Sequence, residues 1–137
     1  MLNIKAYFIA LFLFWAPYIQ AQWNYENTNE NVAFFNIKFI DDDIGWASGQ
    51  DGKIIKTTNG GNSWSSFPIS ENLTLRGLFF INEETGFVAG SNGKIFKTTN
   101  GGNSWTNINS NTNNNLLSIY FADNEIGFCV GRGRRNS

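Results

Sequence analysis

The chain has 137 residues, with 10 Lys and Arg against 11 Asp and Glu and a net charge of −1, which is enough for one small domain. This balance argues against nucleic acid as a partner, because phosphate backbones are bound by clustered Lys and Arg. The chain has no histidine, which excludes Ser-His and Cys-His nucleophile pairs and His-ligated zinc. Its one cysteine, Cys129, allows no disulfide within the chain, so packing must hold the fold.

The N-terminus has the order of a secretory signal. Lys5 is followed by the apolar run Ala6–Ala16 and then by a polar stretch that ends at Ala21 and Gln22. The apolar segment is shorter than the about 20 residues that span a bilayer. The sequence therefore predicts a signal peptide over residues 1–21, a mature chain with no stable membrane span, and an exported protein that is secreted, periplasmic or at the cell surface.

A repeat with an offset of 41 residues follows a lead-in over residues 22–33. Gly45–Trp64 aligns without gaps on Gly86–Trp105, with 14 of 20 positions identical, and Gly127–Gly131 begins a third copy. A period of this length is typical of one β-propeller blade. The repeat predicts two complete units and part of a third, over residues 34–74, 75–115 and 116–137.

Each complete repeat predicts four short antiparallel strands. The first strands share apolar positions two residues apart, and Asp51-Gly52 and Asn92-Gly93 predict tight turns because both residues accept positive φ. The predicted strands are 34–40, 45–49, 53–58 and one from Ser63, then 75–81, 86–90, 94–99 and one from Ser104, then 116–122. The expected fold class is all-β.

The connection between the third and fourth predicted strands carries the most specific motif. Thr57–Trp64, repeated as Thr98–Trp105, resembles the Asp-box, with the pattern Ser/Thr-x-Asp-x-Gly-x-Ser/Thr-Trp. Asn59 can accept hydrogen bonds from the turn, Gly61 can take positive φ, and Trp64 can pack between blades. The motif predicts a hairpin rather than an active site.

The order Gly-Trp/Phe-Ala/Val-x-Gly, Gly-Lys-Ile, Lys-Thr-Thr-Asn-Gly-Gly-x-x-Trp resembles the photosystem II assembly/stability factor family of BNR/Asp-box propellers and its secreted relatives. The resemblance covers Phe34–Gly131 and implies a propeller fragment of two complete blades and part of a third. The family's Asp is Asn at positions 59 and 100. Arg132–Ser137 stands where another Gly and a Lys-Ile strand would be expected.

A closed propeller needs 4 to 8 blades, so either further blades are missing or several chains assemble into a ring. Missing sequence is the favoured interpretation, because a basic, irregular tail is not a plausible closing strand. Arg134 and Arg135 in that tail could form an anion patch only if the tail is native.

The resemblance implies a non-catalytic scaffold that binds a protein partner, which in phototrophs assists the assembly of photosystem II. The alternative is a secreted glycoside hydrolase with a carbohydrate ligand, because Asp-box propellers also include sialidases and xyloglucan-active enzymes. A sialidase-like site needs several arginines, whereas Phe34–Gly131 contains only Arg76. Glycoside hydrolysis needs two facing carboxylates, and no acid departs from the repeat. The scaffold is favoured.

The repeat also indicates the role of the most conspicuous acidic and cysteine residues. Asp41–Asp43 aligns with Asn82–Glu84 and Asp123–Glu125, which predicts a solvated turn in every blade rather than a cation site. Cys129 aligns with Ala47 and with a valine, which predicts a small buried side chain rather than a nucleophile.

The tryptophans of the repeat are expected to pack rather than to stack on sugars. Trp64 and Trp105 belong to the hairpin motif, and Trp46 aligns with Phe87 and Phe128. Trp23 precedes the repeat and is not interpreted. The sequence thus identifies no catalytic, cofactor-binding or metal-ligating residue, and predicts no cofactor.

Overall fold

A computed structural model describes residues 28, 31–69 and 71–133 as ten strands in three antiparallel sheets. The first sheet contains β1 (Phe34–Phe39), β2 (Ile44–Gly49), β3 (Ile54–Thr58) and β4 (Ser65–Ser66). The second contains β5 (Leu75–Phe80), β6 (Gly86–Gly90), β7 (Ile95–Thr98) and β8 (Thr106–Ile108). The third pairs β9 (Asn115–Phe121) with β10 (Gly127–Arg132). The predicted all-β fold, with two four-stranded blades and part of a third, is confirmed.

Several predictions fall outside the described residues. These are the signal peptide, Trp23, most of the lead-in, and Arg134 and Arg135. Within the part of the chain that the structure describes, no helix has the length and apolar character needed to cross a bilayer.

The turns between the second and third strands have the predicted backbone. Asp51 and Gly52 have φ of 55° and 66°, and Asn92 and Gly93 have φ of 58° and 69°. The fourth strands, however, begin later than predicted, at Ser65 and at Thr106. The reason is that the backbone N–H of Ser63 is already used within the hairpin, where it donates to the Asn59 side chain over 2.9 Å.

The chain connections lie at two opposite ends of the sheets. At one end, the backbone N–H of Gly60 donates to the carbonyl of Asp43 over 2.9 Å, which ties the hairpin after β3 to the turn after β1. At the other end, the N–H of Gly52 donates to the carbonyl of Leu73 over 2.7 Å, which ties the turn after β2 to the link between sheets. The first sheet is therefore closed at both ends by backbone hydrogen bonds.

The core lies between the sheets, which pack face to face. Adjacent residues of β5 contact different neighbours, since Phe80 packs toward the first sheet and Phe79 toward the third, as expected for a strand covered on both sides. Between the first and second sheets, the buried residues are Trp46, Ile54, Leu73, Leu75, Leu78, Phe80, Val88 and Phe96. Between the second and third, they are Phe87, Ala89, Ile95, Leu116 and Ile119.

The expectation that Cys129 is buried is wrong, because its side chain is exposed. The aligned residues Ala47 and Val88 are only 4% and 0% exposed. Their strands lie between two others in a sheet, whereas β10 pairs only with β9 among the described residues. The difference follows from the single neighbouring strand of β10 in the described part of the chain rather than from the residue itself.

Candidate binding surface

The first and second sheets are joined by an aromatic contact. The indole of Trp46 on β2 stacks on the ring of Phe80 on β5, with centroids 3.6 Å apart and planes at 12°. Its Nε1 donates a buried hydrogen bond of 3.0 Å to the carbonyl oxygen of Gly101. Phe80 in turn meets Trp105 edge to face, at 6.1 Å. This joint fixes the second sheet and its hairpin against the first sheet.

The second and third sheets repeat the joint at the aligned positions. Phe87 on β6 stacks on Phe121 on β9, with centroids 4.4 Å apart and planes at 29°. A phenylalanine side chain has no N–H group, so this joint lacks the side-chain hydrogen bond that Trp46 makes in the first joint. We refer to the Trp46–Phe80 and Phe87–Phe121 contacts as the aromatic joints.

The two hairpin motifs, called here the motif turns (residues 57–64 and 98–105), are held by their own side chains. The hydroxyl oxygen of Thr57 accepts a hydrogen bond from the N–H of Gly61 over 2.9 Å and donates to Oδ1 of Asn59 over 3.0 Å. Gly61 has a φ of 90°. The turn at Thr98 repeats these contacts. The structure confirms that Asn59 accepts hydrogen bonds and that Gly61 takes positive φ. A neutral Asn is therefore sufficient as the acceptor in both motif turns.

A groove of about 600 Å³ runs between the first and second sheets, along β4 and β8. Three aromatic rings line it, together with carboxamide and hydroxyl groups, one proline and one carboxylate. Its lining residues are Ser66, Phe67, Pro68, Ile69, Glu71, Phe96, Asn103, Ser104, Trp105 and Asn107. We call this the inter-sheet groove. Aromatic surface with a few polar groups is typical of a ligand-binding cleft.

The carboxylate of the inter-sheet groove is engaged in an ion pair. The carboxylate oxygen Oε2 of Glu71 lies 3.2 Å from Nζ of Lys94. Both side chains are partly exposed, as in a typical surface ion pair. No other acid lines this groove. The groove therefore lacks a second carboxylate that could face Glu71 across a substrate.

A smaller cleft of about 360 Å³ lies at the motif-turn end of the same two sheets. Lys56 lines it together with Glu83 and Glu84. The two glutamates are consecutive residues of one turn, so they do not form the opposed pair that glycoside hydrolysis requires. This cleft also offers no general acid and base on opposite walls.

Comparison with known proteins identifies the family. The family described as "Photosynthesis system II assembly factor YCF48" matches residues 16–111, more than half of the chain. The chain belongs to this family.

Solved structures share the fold of this family member. YCF48 bound to D1 peptide is similar over 73% of this chain and 34% of its own, with a TM-score of 0.64 and 20% identity. YCF48 from Cyanidioschyzon merolae is similar over 77% of this chain and 37% of its own, with a TM-score of 0.61 and 18% identity. The chain thus spans about a third of the length of these two proteins.

An ancestral GH74 enzyme is also similar, over 64% of this chain and 14% of its own, with a TM-score of 0.51 and 23% identity. At these identities the likeness concerns the fold alone. The comparison with curated proteins gave no match.

In this YCF48 family member, the acidic turns form hydrogen bonds with themselves. Oδ1 of Asp41 accepts from the backbone N–H groups of Asp43 and Ile44, over 2.9 and 2.6 Å. Asn82 and Asp123 make the same contacts one and two repeats later. Within residues 31–69 and 71–133, no group of three acidic, cysteine or histidine side chains could hold a metal ion.

The motif tryptophans of this family member pack against neighbouring rings, as predicted. Trp64 meets Phe39 edge to face at 6.1 Å, as Trp105 meets Phe80. Both indoles are half-buried. Trp105 also lines the inter-sheet groove, a second role that the repeat did not reveal.

The remaining conspicuous side chains are not brought together. The guanidinium of Arg76 on β5 lies 4.3 Å from the ring centroid of Phe35 on β1, and Arg132 is exposed on β10. Partial desolvation raises the pKa of the Cys129 thiol, which disfavours the thiolate that a nucleophile needs. Neither Arg76 nor Cys129 lines the inter-sheet groove.

Sequence reasoning missed the inter-sheet groove itself. Part of its lining comes from the link after β4 and from β8, where the two repeats differ, and the rest comes from β7 and the second motif turn. Phe67 aligns with Ile108, and Asn107 aligns with Ser66. The available signal was the Phe67-Pro68 pair, an apolar dipeptide at a place where the next repeat has Ile108-Asn109.

Proposed function

We propose that this chain is a non-catalytic binding scaffold of the YCF48 family whose inter-sheet groove holds an extended segment of a protein partner. The observation that carries the proposal is the groove, in which Phe67, Phe96 and Trp105 lie beside the carboxamides of Asn103 and Asn107. YCF48 bound to D1 peptide is among the similar structures, which supports a peptide as the ligand class.

The polar groups of the groove suit a polypeptide backbone. The carboxamide of Asn107 contains two donors and an acceptor, so it can pair with both the N–H and the C=O groups of an extended chain. Asn103, whose Nδ2 donates to the carbonyl of Asn100 over 2.8 Å, offers its side-chain oxygen as a further acceptor. The partly exposed rings of Phe67 and Trp105 offer apolar contact area to side chains of the same segment, while the buried ring of Phe96 forms the floor.

Rigidity of the groove walls supports the same function. One wall belongs to the first sheet and the other to the second, and the Trp46–Phe80 joint holds these sheets together. A pre-formed groove binds more tightly than one that must first be ordered, because less conformational entropy is lost on binding. The scaffold therefore presents a fixed surface to its partner.

The proposed function is non-catalytic, because neither cleft has two carboxylates that face each other. Glu71 is paired with Lys94, and Glu83 and Glu84 lie side by side. A GH74-like hydrolase would need two carboxylates across a bound sugar. The fold likeness to the GH74 enzyme is compatible with either function.

The test is an NMR titration of the isotope-labelled chain with two kinds of probe. The first is a set of peptides, namely the D1 peptide and peptides selected from a displayed library on the immobilised chain. The second is a xyloglucan oligosaccharide. We expect the best peptide to shift the resonances of Phe67, the Asn107 carboxamide and the Trp105 indole, while the oligosaccharide is neither bound nor cleaved. Cleavage of the oligosaccharide, or no peptide that shifts groove resonances, would overturn the proposal.

We also propose that the chain is exported, with cleavage after Ala21. The signal-like order of residues 1–21 supports this. Expression with the native N-terminus in a bacterial host, followed by intact-mass measurement of the exported fraction, tests it. We expect a product that begins at Gln22; a product retained inside the cell with residues 1–21 attached would contradict export.

A further inference from the structure

The first strands of the first two sheets are joined by two reciprocal contacts between a cation and a ring. The guanidinium of Arg76 on β5 lies 4.3 Å from the ring centroid of Phe35 on β1. In the opposite direction, Nζ of Lys38 on β1 lies 5.7 Å from the ring centroid of Phe79 on β5. Each strand thus contributes one cation and one ring. We call the surface around these four residues the first-strand junction.

A β-bulge directs the side chain of Arg76. The pairing of β5 with β6 shifts between Leu75 and Gly77, so Arg76 has no partner of its own on β6, and the pairing of β1 with β2 shifts in the same way at Phe35. A bulge turns a side chain out of the alternation of its strand. Arg76 is exposed although the second sheet packs against a sheet on each side. Its exposure is therefore not that of an outer face.

The two cations of the junction depart from the repeat. Arg76 aligns with a phenylalanine and a leucine, and Lys38 aligns with a phenylalanine and a tyrosine. By contrast, Lys56 on a third strand recurs as Lys97, and each of these lysines lies over the ring of a second-strand aromatic. A cation that the blade fold requires recurs with the blade. The cations of the first-strand junction are therefore not part of the blade architecture.

Both cations keep donors available for a ligand. Stacking on a ring uses the flat face of a guanidinium, so the N–H groups at its edge can still bind a carboxylate. Within residues 31–69 and 71–133, the side chains of Arg76 and Lys38 form no ion pair and no hydrogen bond. β1 and β5 contain no Asp or Glu. The rings thus hold two cations in place on strands that carry no acid.

We propose that the first-strand junction binds an acidic segment of a protein partner, at a site separate from the inter-sheet groove. Arg76 binds one carboxylate through its paired N–H groups, and Lys38 binds a second. Phe79 is three residues after Arg76 on β5, so the two cation contacts lie about 10 Å apart at a rise of about 3.3 Å per residue. Acidic residues three positions apart in an extended segment match this spacing. None of the four residues of the junction lines the inter-sheet groove.

A polypeptide suits this surface better than a nucleic acid or a small anion. Nucleic-acid surfaces neutralise many phosphates with clustered Lys and Arg, whereas this junction has two cations. Phe79 remains partly exposed on the second sheet, so an apolar side chain next to the acids can pack on its ring. A small anion would contact the cations and leave the rings unused. The junction therefore fits carboxylates that a polypeptide carries.

An NMR titration of the full, isotope-labelled chain with a hexaglutamate peptide, blocked at both ends, tests the proposal at neutral pH. The reporters are the side-chain Nε–H of Arg76 and the ring of Phe79. We expect hexaglutamate to shift both resonances and blocked hexaglutamine to shift neither. Added salt should weaken the binding, because exposed ionic contacts are screened. If hexaglutamate leaves both resonances unchanged, the proposal is overturned.

Three single substitutions locate the bound peptide. Arg76→Gln should weaken hexaglutamate binding by about tenfold and Lys38→Gln by about threefold, because each removes one ionic contact. Lys97→Gln is the matched control and should bind like the unchanged chain, since Lys97 also lies over a ring, 5.6 Å from the centroid of Phe87, but belongs to a third strand. Equal losses in all three variants would show that only net charge matters and would overturn the proposal.

Urea unfolding of the same variants separates binding from a purely structural role. If Arg76→Gln lowers the unfolding midpoint but leaves the affinity for hexaglutamate unchanged, Arg76 only fastens the sheets, and the proposal is wrong. We expect the opposite, namely a lower affinity in a chain that is still folded at the temperature of the titration.

Two further ligands separate a peptide site from a general anion site. Inorganic phosphate and oligothymidylate, the latter with the same number of negative charges as hexaglutamate, are titrated under the same conditions. We expect both to bind more weakly than hexaglutamate. If phosphate alone reproduces the shifts at the same concentration, or if oligothymidylate binds as tightly as hexaglutamate, the junction does not select a polypeptide and the proposal is overturned.

Discussion

The indole nitrogen of Trp46 donates to the carbonyl oxygen of Gly101 across 3.0 Å, although the two residues are 55 positions apart in the chain. The bond is buried and joins a strand of the first sheet to the motif turn of the second. Trp46 is completely enclosed. The most prominent tryptophan of the repeat is therefore a structural connection between sheets, and it is not available to a ligand.

Replacing this tryptophan tests the contribution of the hydrogen bond. Trp46→Phe keeps an aromatic ring that can stack, as Phe87 does, but leaves the buried carbonyl of Gly101 without its donor. We expect a loss of about 1–3 kcal/mol in the free energy of unfolding, measured with urea. Trp64→Phe is the control, because the indole N–H of Trp64 has no hydrogen-bond partner among the described residues. Equal losses in the two variants would contradict this role.

The first motif turn depends on the hydroxyl group of Thr57. Thr57→Val preserves the shape of the side chain but removes the acceptor for the buried N–H of Gly61. We expect a destabilisation of about 1–3 kcal/mol. Thr58→Val changes the exposed neighbour and should remain within about 0.5 kcal/mol of the unchanged chain. If the two variants unfold at the same urea concentration, the hydroxyl does not hold the turn.

The strands and turns of the sheets were predictable because short local sequence patterns determine them, and these patterns occur in both complete repeats. The alignment of Asp51-Gly52 with Asn92-Gly93 predicted turns with positive φ, and the observed angles differ by only a few degrees between repeats. The same alignment correctly assigned Trp46 to packing, since its counterpart is Phe87. Turn conformation depends on residues that are close in the chain. An alignment of the two repeats therefore detects it.

Features that depend on neighbours could not be predicted in this way. Cys129 aligns with buried residues but is exposed, because burial depends on which strands surround β10 rather than on its own sequence. The inter-sheet groove combines Phe67 with Asn107 from two different repeats at positions that are not aligned with each other. An alignment of the repeats compares only equivalent positions, so it cannot reveal a contact between positions that are not equivalent.

The turn between β9 and β10 should depend on pH. The backbone N–H groups of Glu125 and Ile126 donate to Asp123 and hold the pKa of its carboxyl below the ordinary value. Because the pKa is lowered in the folded chain, the contribution to stability is present above the ordinary pKa of an aspartate. It is lost as the pH falls through the lowered folded value.

Asp123→Asn provides the control, because an amide oxygen keeps the acceptor but does not titrate. Asn82 already makes the same two hydrogen bonds, over 3.0 and 2.8 Å. We expect the variant to lose less stability than the unchanged chain between neutral and acidic pH. NMR titration of the Asp123 carboxyl carbon gives the pKa directly, and a midpoint at or above the ordinary value would be incompatible with the hydrogen bonds.

The affinity of two arginine variants for the selected peptide shows whether that peptide binds in the inter-sheet groove. Asn107 lines the groove, whereas Asn113 is exposed elsewhere, so Asn107→Arg and Asn113→Arg make the same chemical change at two sites. We predict that Asn107→Arg weakens binding by about tenfold or more, while Asn113→Arg binds like the unchanged chain. Equal affinity of both variants would show that the peptide binds outside the groove, and the proposed binding site would then be wrong.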